Sequence, residues 1–364
     1  MTRRRIEPLQ FNSADGGWRL RILIVKLSSL GDVVHAMPVV QDIRRALPQA
    51  QIDWVVERGF APLVRRCEGV GRVIECELRR WRKAPLSAET RHAFAMFKVD
   101  LQRDTYDAVL DLQGLSKSAL VAWLARLTPR GKRYAMANRT EGSGYEAPTR
   151  WVADVAVSLP AHVHALTRSR ELSARALGYP IPSSSSYGLK MYTVSIHDAI
   201  KNIANDETTA PGVVALVHGT SRADKLWPVA NWIELGLALH EQGLCVALPH
   251  GSDDELQRAQ AIAAALPKAV VWPRLGLDAL VDALGACVGV VGVDSGLSHI
   301  AVALDLPHVQ LYNFDTAWRT GPLTGAAPSR QLSVFATPVP SVTAVWQAWQ
   351  QVFAGAPPQF EGAA

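Results

Sequence analysis

RILIVKLSSLGDVVHAMP, residues 21–38, decides the fold. An apolar run over 22–25 stops at Lys26 and gives way to a small-residue turn, Ser28-Ser29-Leu30-Gly31. Asp32 follows, then His35 inside an apolar period that reads as a helix. In open α/β sheets ligands bind beyond the carboxyl ends of the strands, so a carboxylate set there by a glycine turn is a candidate for chemistry. Asp is also a favoured helix cap. Position alone leaves both roles open.

Outward from this stretch, strands and helices alternate. A helix over 32–47 has its early turns interrupted by Pro38 and closes at Pro48. Strands follow at 51–57, 71–78, 106–114 and 131–138, with helices over 88–103, 116–127 and 164–178; residues 139–162 look irregular. YPIPSSSSYG (179–188) carries two prolines and four serines and is the best linker. Alternation then restarts, with strands at 213–219, 244–251, 269–273, 288–294 and 308–313. Helices fall at 228–242, 253–266, 277–286, 297–304 and 341–353. This order predicts two Rossmann-like, doubly wound α/β domains with a ligand cleft between them. The expected boundaries are a flexible leader at 1–19, a first domain at 20–178, a linker at 179–189 and a second domain at 190–338. A C-terminal helix and tail over 339–364 is expected to pack back on the first domain.

The 364 residues suffice for two domains with sizeable cores. Charged residues at 20% and hydrophobic ones at 48% describe a globular chain rather than a disordered one. No apolar run approaches the roughly 20 residues that cross a bilayer, and the basic N-terminus has no apolar segment after it, unlike a secretory signal. Cys67, Cys76, Cys245 and Cys287 lack metal-ligand spacing and suggest free thiols in a reducing cytosol. The net charge of +5 favours an anionic partner. No nucleic-acid module accompanies the basic stretch Arg79-Arg80-Trp81-Arg82-Lys83, so nucleic acid is not expected.

Three strand-to-helix loops in the second half suit a nucleotide. HGTSRADKLWP (218–228) offers the hydroxyls of Thr220 and Ser221 and the charge of Lys225 before a helix start, where amides and dipole favour an anion. VGVDSGLSH (291–299) ends a strand at Asp294 and turns at Gly296. LPHGSDDELQRA (248–259) puts Asp253 and Asp254 where caps belong, while Glu255 suits ribose hydroxyls. Singly, each has an ordinary capping or solvated explanation; together they are more persuasive. GSGYEA (142–147) fits a dinucleotide pattern only formally, since it leaves no strand. There is no Walker loop, no D-x-D pair, and His162-Val163-His164 is weak metal evidence.

KLSSLGDVVHAMP, DWVVERGFAPLV (53–64), RRWRK (79–83), DLQGLSKSA (111–119), TSRADKLWP (220–228) and VDSGLSHIAVALDLP (293–307) together resemble the lipopolysaccharide heptosyltransferases, glycosyltransferase family 9. The K-x-S-S-x-G-D-V-x-H turn and RRWRK point to type I. The resemblance spans the chain from about residue 20 to the tail helix. It implies a GT-B fold and an inverting transferase that needs neither metal nor other cofactor. Such enzymes move L-glycero-D-manno-heptose from ADP-heptose to the Kdo of Kdo-lipid A. They act as peripheral proteins on the cytoplasmic face of the Gram-negative inner membrane. A monomer is expected.

Carried over position by position, the resemblance makes Asp32 the general base and puts Lys225 on the donor diphosphate beside Thr220 and Ser221. Asp294, Ser295, Gly296 and His299 match the loop that holds the donor, Glu255 the acid on the ribose, and Leu275 a position near the adenine. Ser29, Gly31, His35, Arg79, Arg80, Arg82, Lys83, Gln113, Lys117 and Arg139 fall where the family handles its anionic acceptor. Ser295 stands in place of Thr, Leu275 of Met and His250 of Trp, and the leader of about twenty residues lies outside the resemblance. The competing readings are a transferase of the same fold with another acceptor and a nucleotide-sugar binder without catalysis. A dehydrogenase is disfavoured for want of a glycine fingerprint after a strand.

Overall fold

The structure, a computed structural model, describes residues 19–191, 212–323 and 329–354. The leader and the end of the tail therefore lie outside the described residues, apart from residue 19 and the tail up to 354. The chain divides into two compact units, at Lys190/Met191.

The first unit is built on β1 (Arg21–Val25), β2 (Gln51–Glu57), β3 (Val70–Cys76), β4 (Thr105–Asp111), β5 (Arg126–Met136) and β6 (Val155–Val157). They form one sheet in the order 3-2-1-4-5-6, every neighbouring pair parallel. The second is built on β7 (Val213–Val217), β8 (Cys245–Leu248), β9 (Ala269–Val271), β10 (Gly289–Val293), β11 (His308–Tyr312) and β12 (Gln331–Phe335). Counted from β7, its order is again 3-2-1-4-5-6 and wholly parallel. The central strands are apolar throughout because helices cover both faces; Ile22 to Val25 are fully buried. Strand order reverses between β1 and β4, and between β7 and β10. Those two switch points are where such sheets bind ligands.

Several elements differ from expectation. The first helix runs unbroken from Leu30 to Ala46 through Pro38. Pro38 is fully buried, and helix-to-core packing outweighs the one backbone bond that proline removes. The stretch taken as irregular contains a short helix, Pro148–Val152, and β6. β12, whose Leu332 and Val334 alternate with polar Gln331 and Ser333, adds a strand to those expected. The C-terminal helix, Val342–Ala354, is part of the second unit's core. Val345, Trp349 and Val352 belong to the second unit's core with Val291, Val309 and Leu311. Gly289 makes that seat possible, since a Cβ there would lie 2.6 Å from the Trp349 ring. The serine-rich linker stays with the first unit: Arg170, paired with buried Asp42, also donates to the carbonyls of Pro182 (2.8 Å) and Ser184 (3.2 Å). All four cysteines are buried free thiols.

Candidate active site

In the first unit the exits of β1 and β4 are tied together. Lys26 follows β1 into a buried position, where Nζ donates to the Leu112 carbonyl at 3.0 Å and lies 3.3 Å from Asp32 Oδ1. Asp32 stands in the first turn of the helix that begins after Ser29, and its Oδ2 accepts from the Ser29 amide (3.2 Å) and hydroxyl (2.9 Å). Arg168 Nη2 comes within 3.8 Å of Oδ1. The carboxylate thus closes the helix start and still has a third of its side-chain surface exposed (34%). Burial pushes the Asp32 carboxyl up, but Lys26, the two Ser29 bonds and Arg168 outweigh it and hold it well below the usual carboxylate range. Burial pulls Lys26 down while Asp32 opposes it.

Asp111, ending β4, accepts from the amides of Gln113 (2.9 Å) and Gly114 (3.1 Å) and the Ser118 hydroxyl (3.0 Å). Burial nevertheless pushes it up to about 6. Gln113 Oε1 accepts from the amides of Leu27 and Ser28, both at 3.1 Å, so Gln113 fixes the β1 turn. Lys117 Nζ donates to the Ser28 hydroxyl at 2.9 Å. Burial lowers Lys117, and the like charge of Arg79 lowers it further, which sets both cations on this side of the sheet.

The remaining acceptor-side residues are less uniform. Arg79, Arg82 and Lys83 are exposed after β3, while Arg80 pairs with Glu77 and Glu89. Trp81 between them is buried against Phe94 and Phe97, with ring centroids 5.7 and 5.5 Å away. Arg139 is exposed after β5, and its neighbour Thr140 accepts from Arg168 at 3.2 Å. His35 is buried, its ring 5.6 Å from that of His164, rather than open to a ligand. One turn beyond Asp32, it faces the adjoining helix, Ala165–Leu177. His162 lies on the surface with Nδ1 3.0 Å from a Glu141 carboxylate oxygen.

The second unit repeats the arrangement at β7 and β10. Lys225 hydrogen-bonds Asp294 Oδ2, His299 Nε2 lies 3.5 Å from Oδ1, and Thr220 Oγ1 donates to the Asp294 carbonyl at 3.2 Å. Burial pushes Asp294 up, but His299 and Lys225 prevail and hold it well below the usual range. Ser295 caps the helix Gly296–Ala303, whose first-turn amides point out of the strand end. Glu255 accepts from the Gly251 amide at 2.7 Å. It also presses on Gly219, where a Cβ would lie 2.5 Å from Oε1, so glycine brings the acid against the Thr220-Ser221 turn. Ser221 is exposed there, and half-buried Leu275 follows β9 next in the sheet. Among the described residues no three His, Cys, Asp or Glu side chains group as a metal site.

The profile of glycosyltransferase family 9 (heptosyltransferase) matches residues 94–336. The chain belongs to that family. It is 39% identical over 303 residues to lipopolysaccharide heptosyltransferase 1 of Pseudomonas aeruginosa, covering 80% of this chain and 78% of that protein. The Escherichia coli K12 protein of the same name is 37% identical over 294 residues, covering 80% and 88%. Among solved structures, E. coli heptosyltransferase WaaC with ADP superposes with a TM-score of 0.78 at 33% identity, over 92% of this chain and all of that one. Two-domain GT-B architecture follows from that likeness together with the two parallel sheets.

Sequence reasoning missed four residues of these family 9 loops. Lys26 was visible as a charge ending a buried strand. Asp111 lay inside a quoted motif, at the end of a strand. Arg168 sits in a helix whose sequence looks ordinary, and nothing local marks it as facing Asp32. Asn313, after β11, donates to the carbonyls of Asp224 and Leu226 at 3.0 Å each and so brackets Lys225; only the fold brings it there.

Proposed function

We propose that this family 9 protein is an inverting glycosyltransferase that moves L-glycero-D-manno-heptose from ADP-heptose to the Kdo of Kdo-lipid A. The observation that carries the reading is the pair of equipped switch points: a gripped, partly exposed carboxylate on one sheet and a lysine-centred anion site on the other. The similarity to lipopolysaccharide heptosyltransferase 1 supplies the donor and acceptor classes.

Asp32 takes the proton of the attacking Kdo hydroxyl as that oxygen bonds to the anomeric carbon from the face opposite the leaving group. The anomeric C–O bond breaks, ADP departs with the electron pair, and configuration inverts. A carboxylate with so low an affinity for protons is a weak base, so it works by position as the C–O bond forms. Lys225, with the amides at Gly296, takes up the charge that develops on the diphosphate, a task requiring preorganised donors. Asp294 and His299 hold Lys225 and the loop rather than meeting phosphate with a second negative charge. Glu255 receives the ribose hydroxyls, Leu275 lies along the base, and Arg79, Arg82, Lys83, Lys117 and Arg139 meet the acceptor's carboxylate and phosphates. The reaction proceeds without a metal. The protein acts as a monomer, peripheral to the cytoplasmic face of the inner membrane; no helix among the described residues is long and apolar enough to cross it.

ADP release is measured with ADP-heptose alone, with Kdo-lipid A, and with an already heptosylated acceptor. Release that depends on Kdo-lipid A is expected. Donor binding without acceptor-dependent release, or release only with the heptosylated acceptor, overturns the reading.

A further inference from the structure

Trp81 of the basic RRWRK stretch is buried, yet two other tryptophans of the first unit stand in solvent: Trp123 is 61% exposed and Trp151 79%, with Leu120 at 41%. They occupy two helices that run side by side, Ser116–Leu124 and Pro148–Val152. At one end of the pair the Ser116 amide donates to Glu146 (2.7 Å) and the Glu146 amide to the Gly114 carbonyl (2.9 Å). At the other, Arg133 joins the Trp123 and Ala125 carbonyls (3.3 and 3.1 Å) to Asp154, which accepts from its amide at 2.8 Å. Val121, Ala122 and Val152 turn inward to one core cluster. Leu120 and Trp123, three residues apart, therefore share the outward face of the first helix, and Trp151 stands out from its neighbour near the same end.

Single exposed apolar residues are normal, but adjoining ones mark a contact surface. The segment that carries it is rich in positive charge. Between 116 and 153 there are seven basic residues, Lys117, Arg126, Arg130, Lys132, Arg133, Arg139 and Arg150, against Glu141 and Glu146. Arg126, Arg130 and Arg150 are exposed. Tryptophan beside arginine is the composition that settles at a membrane interface, the ring at headgroup depth and the guanidinium on anionic lipid.

Position argues the same way. Lys117, on the acceptor side, opens the helix that carries Trp123 six residues later, about 9 Å along at 1.5 Å per residue. An acceptor whose sugar sits at the strand ends while its acyl chains stay in a bilayer brings that bilayer to this end of the first unit.

We propose that Leu120, Trp123 and Trp151, with Arg126, Arg130 and Arg150 around them, form the surface by which the protein sits on an anionic phospholipid membrane. The assignment rests on the lipid-acceptor reading above.

Co-sedimentation with vesicles of phosphatidylglycerol and phosphatidylethanolamine, against pure phosphatidylcholine, tests it. Wild type should bind the anionic vesicles and weaken as salt is raised. The double variant W123S/W151S should lose at least about tenfold in vesicle affinity, equivalent to about 1.4 kcal/mol, while its ADP release with a delipidated, water-soluble Kdo acceptor stays within about twofold of wild type. That retained rate also shows the variant is folded. Equal vesicle binding by wild type and variant, or no preference of wild type for anionic vesicles, overturns the surface. If wild type releases no ADP with any Kdo acceptor, the functional reading fails instead, and the vesicle result still decides the surface.

Discussion

Asp32 is held by more partners than a helix cap needs. Lys26, Ser29 and Arg168 converge on it and keep it ionised far below neutrality. General-base catalysis is worth roughly 10²–10⁴-fold, so Asp32→Ala should lower turnover by at least about 100-fold with ADP affinity unchanged, read by steady-state ADP release and calorimetric titration; unaltered turnover would falsify the base assignment. Lys26→Met removes the nearest cation from a carboxyl that burial already pushes upward, so the acid limb of its turnover should move to higher pH. Asp111 runs the other way. Its folded affinity for protons is raised, so the native state holds more protons than the unfolded chain between the ordinary Asp value and about 6. Stability is then present at low pH and lost as pH climbs through that window, by on the order of 1–3 kcal/mol for about two units of displacement. Urea unfolding of wild type should show this loss and Asp111→Asn should lack it; a parallel slope in the variant would assign the effect elsewhere. On the second sheet, Lys225→Ala should weaken ADP binding or turnover strongly while excess EDTA leaves the wild-type rate unchanged, and metal-restored activity after chelation would sink the lysine-only account of leaving-group charge.

Among the elements, those with strong periodicity were readable and those defined by partners were not. The first strand and its glycine turn announced themselves through an apolar run cut short by Lys26. β6, at three residues, carries too few side chains to show a period, and β12 exists because β11 offers it a parallel edge. The C-terminal helix shows the same limit: its Val345, Trp349 and Phe353 spacing marks an apolar side but not which core receives it. The receiving feature is Gly289 on β10, whose missing side chain leaves room for the Trp349 ring, stacked in turn on Phe353 at 5.1 Å. Trp349→Ala should therefore destabilise the second unit by about 3–5 kcal/mol, the usual range for a buried aromatic. Guanidinium unfolding followed by circular dichroism measures it, and a loss below about 1 kcal/mol would mean the helix is not part of that core.

At the scale of the whole molecule, one strand order used twice gives each unit its own switch point, and each switch point carries a carboxylate gripped by a lysine, Asp32 by Lys26 and Asp294 by Lys225. The loops at the strand ends were legible; the approach of Arg168 to Asp32 and of Lys26 to the Leu112 carbonyl was not, because those contacts span separations in sequence that only the folded sheet and its helices bring together. Two core clusters among the described residues share no residue: one draws on 23–152 and the other on 214–353. Separate cores unfold as separate cooperative units unless their interface is large. Calorimetry should thus resolve two transitions, and ADP should raise one alone. At about 100 times its dissociation constant a ligand adds about 2.7 kcal/mol, or roughly 5–10 °C for a unit of this size. Trp349→Ala identifies which transition that is, since it must lower the ADP-sensitive one and leave the other in place. If ADP moves the transition that Trp349→Ala does not touch, the donor site belongs to the first sheet, and the division of labour between Asp32 and Lys225 is reversed.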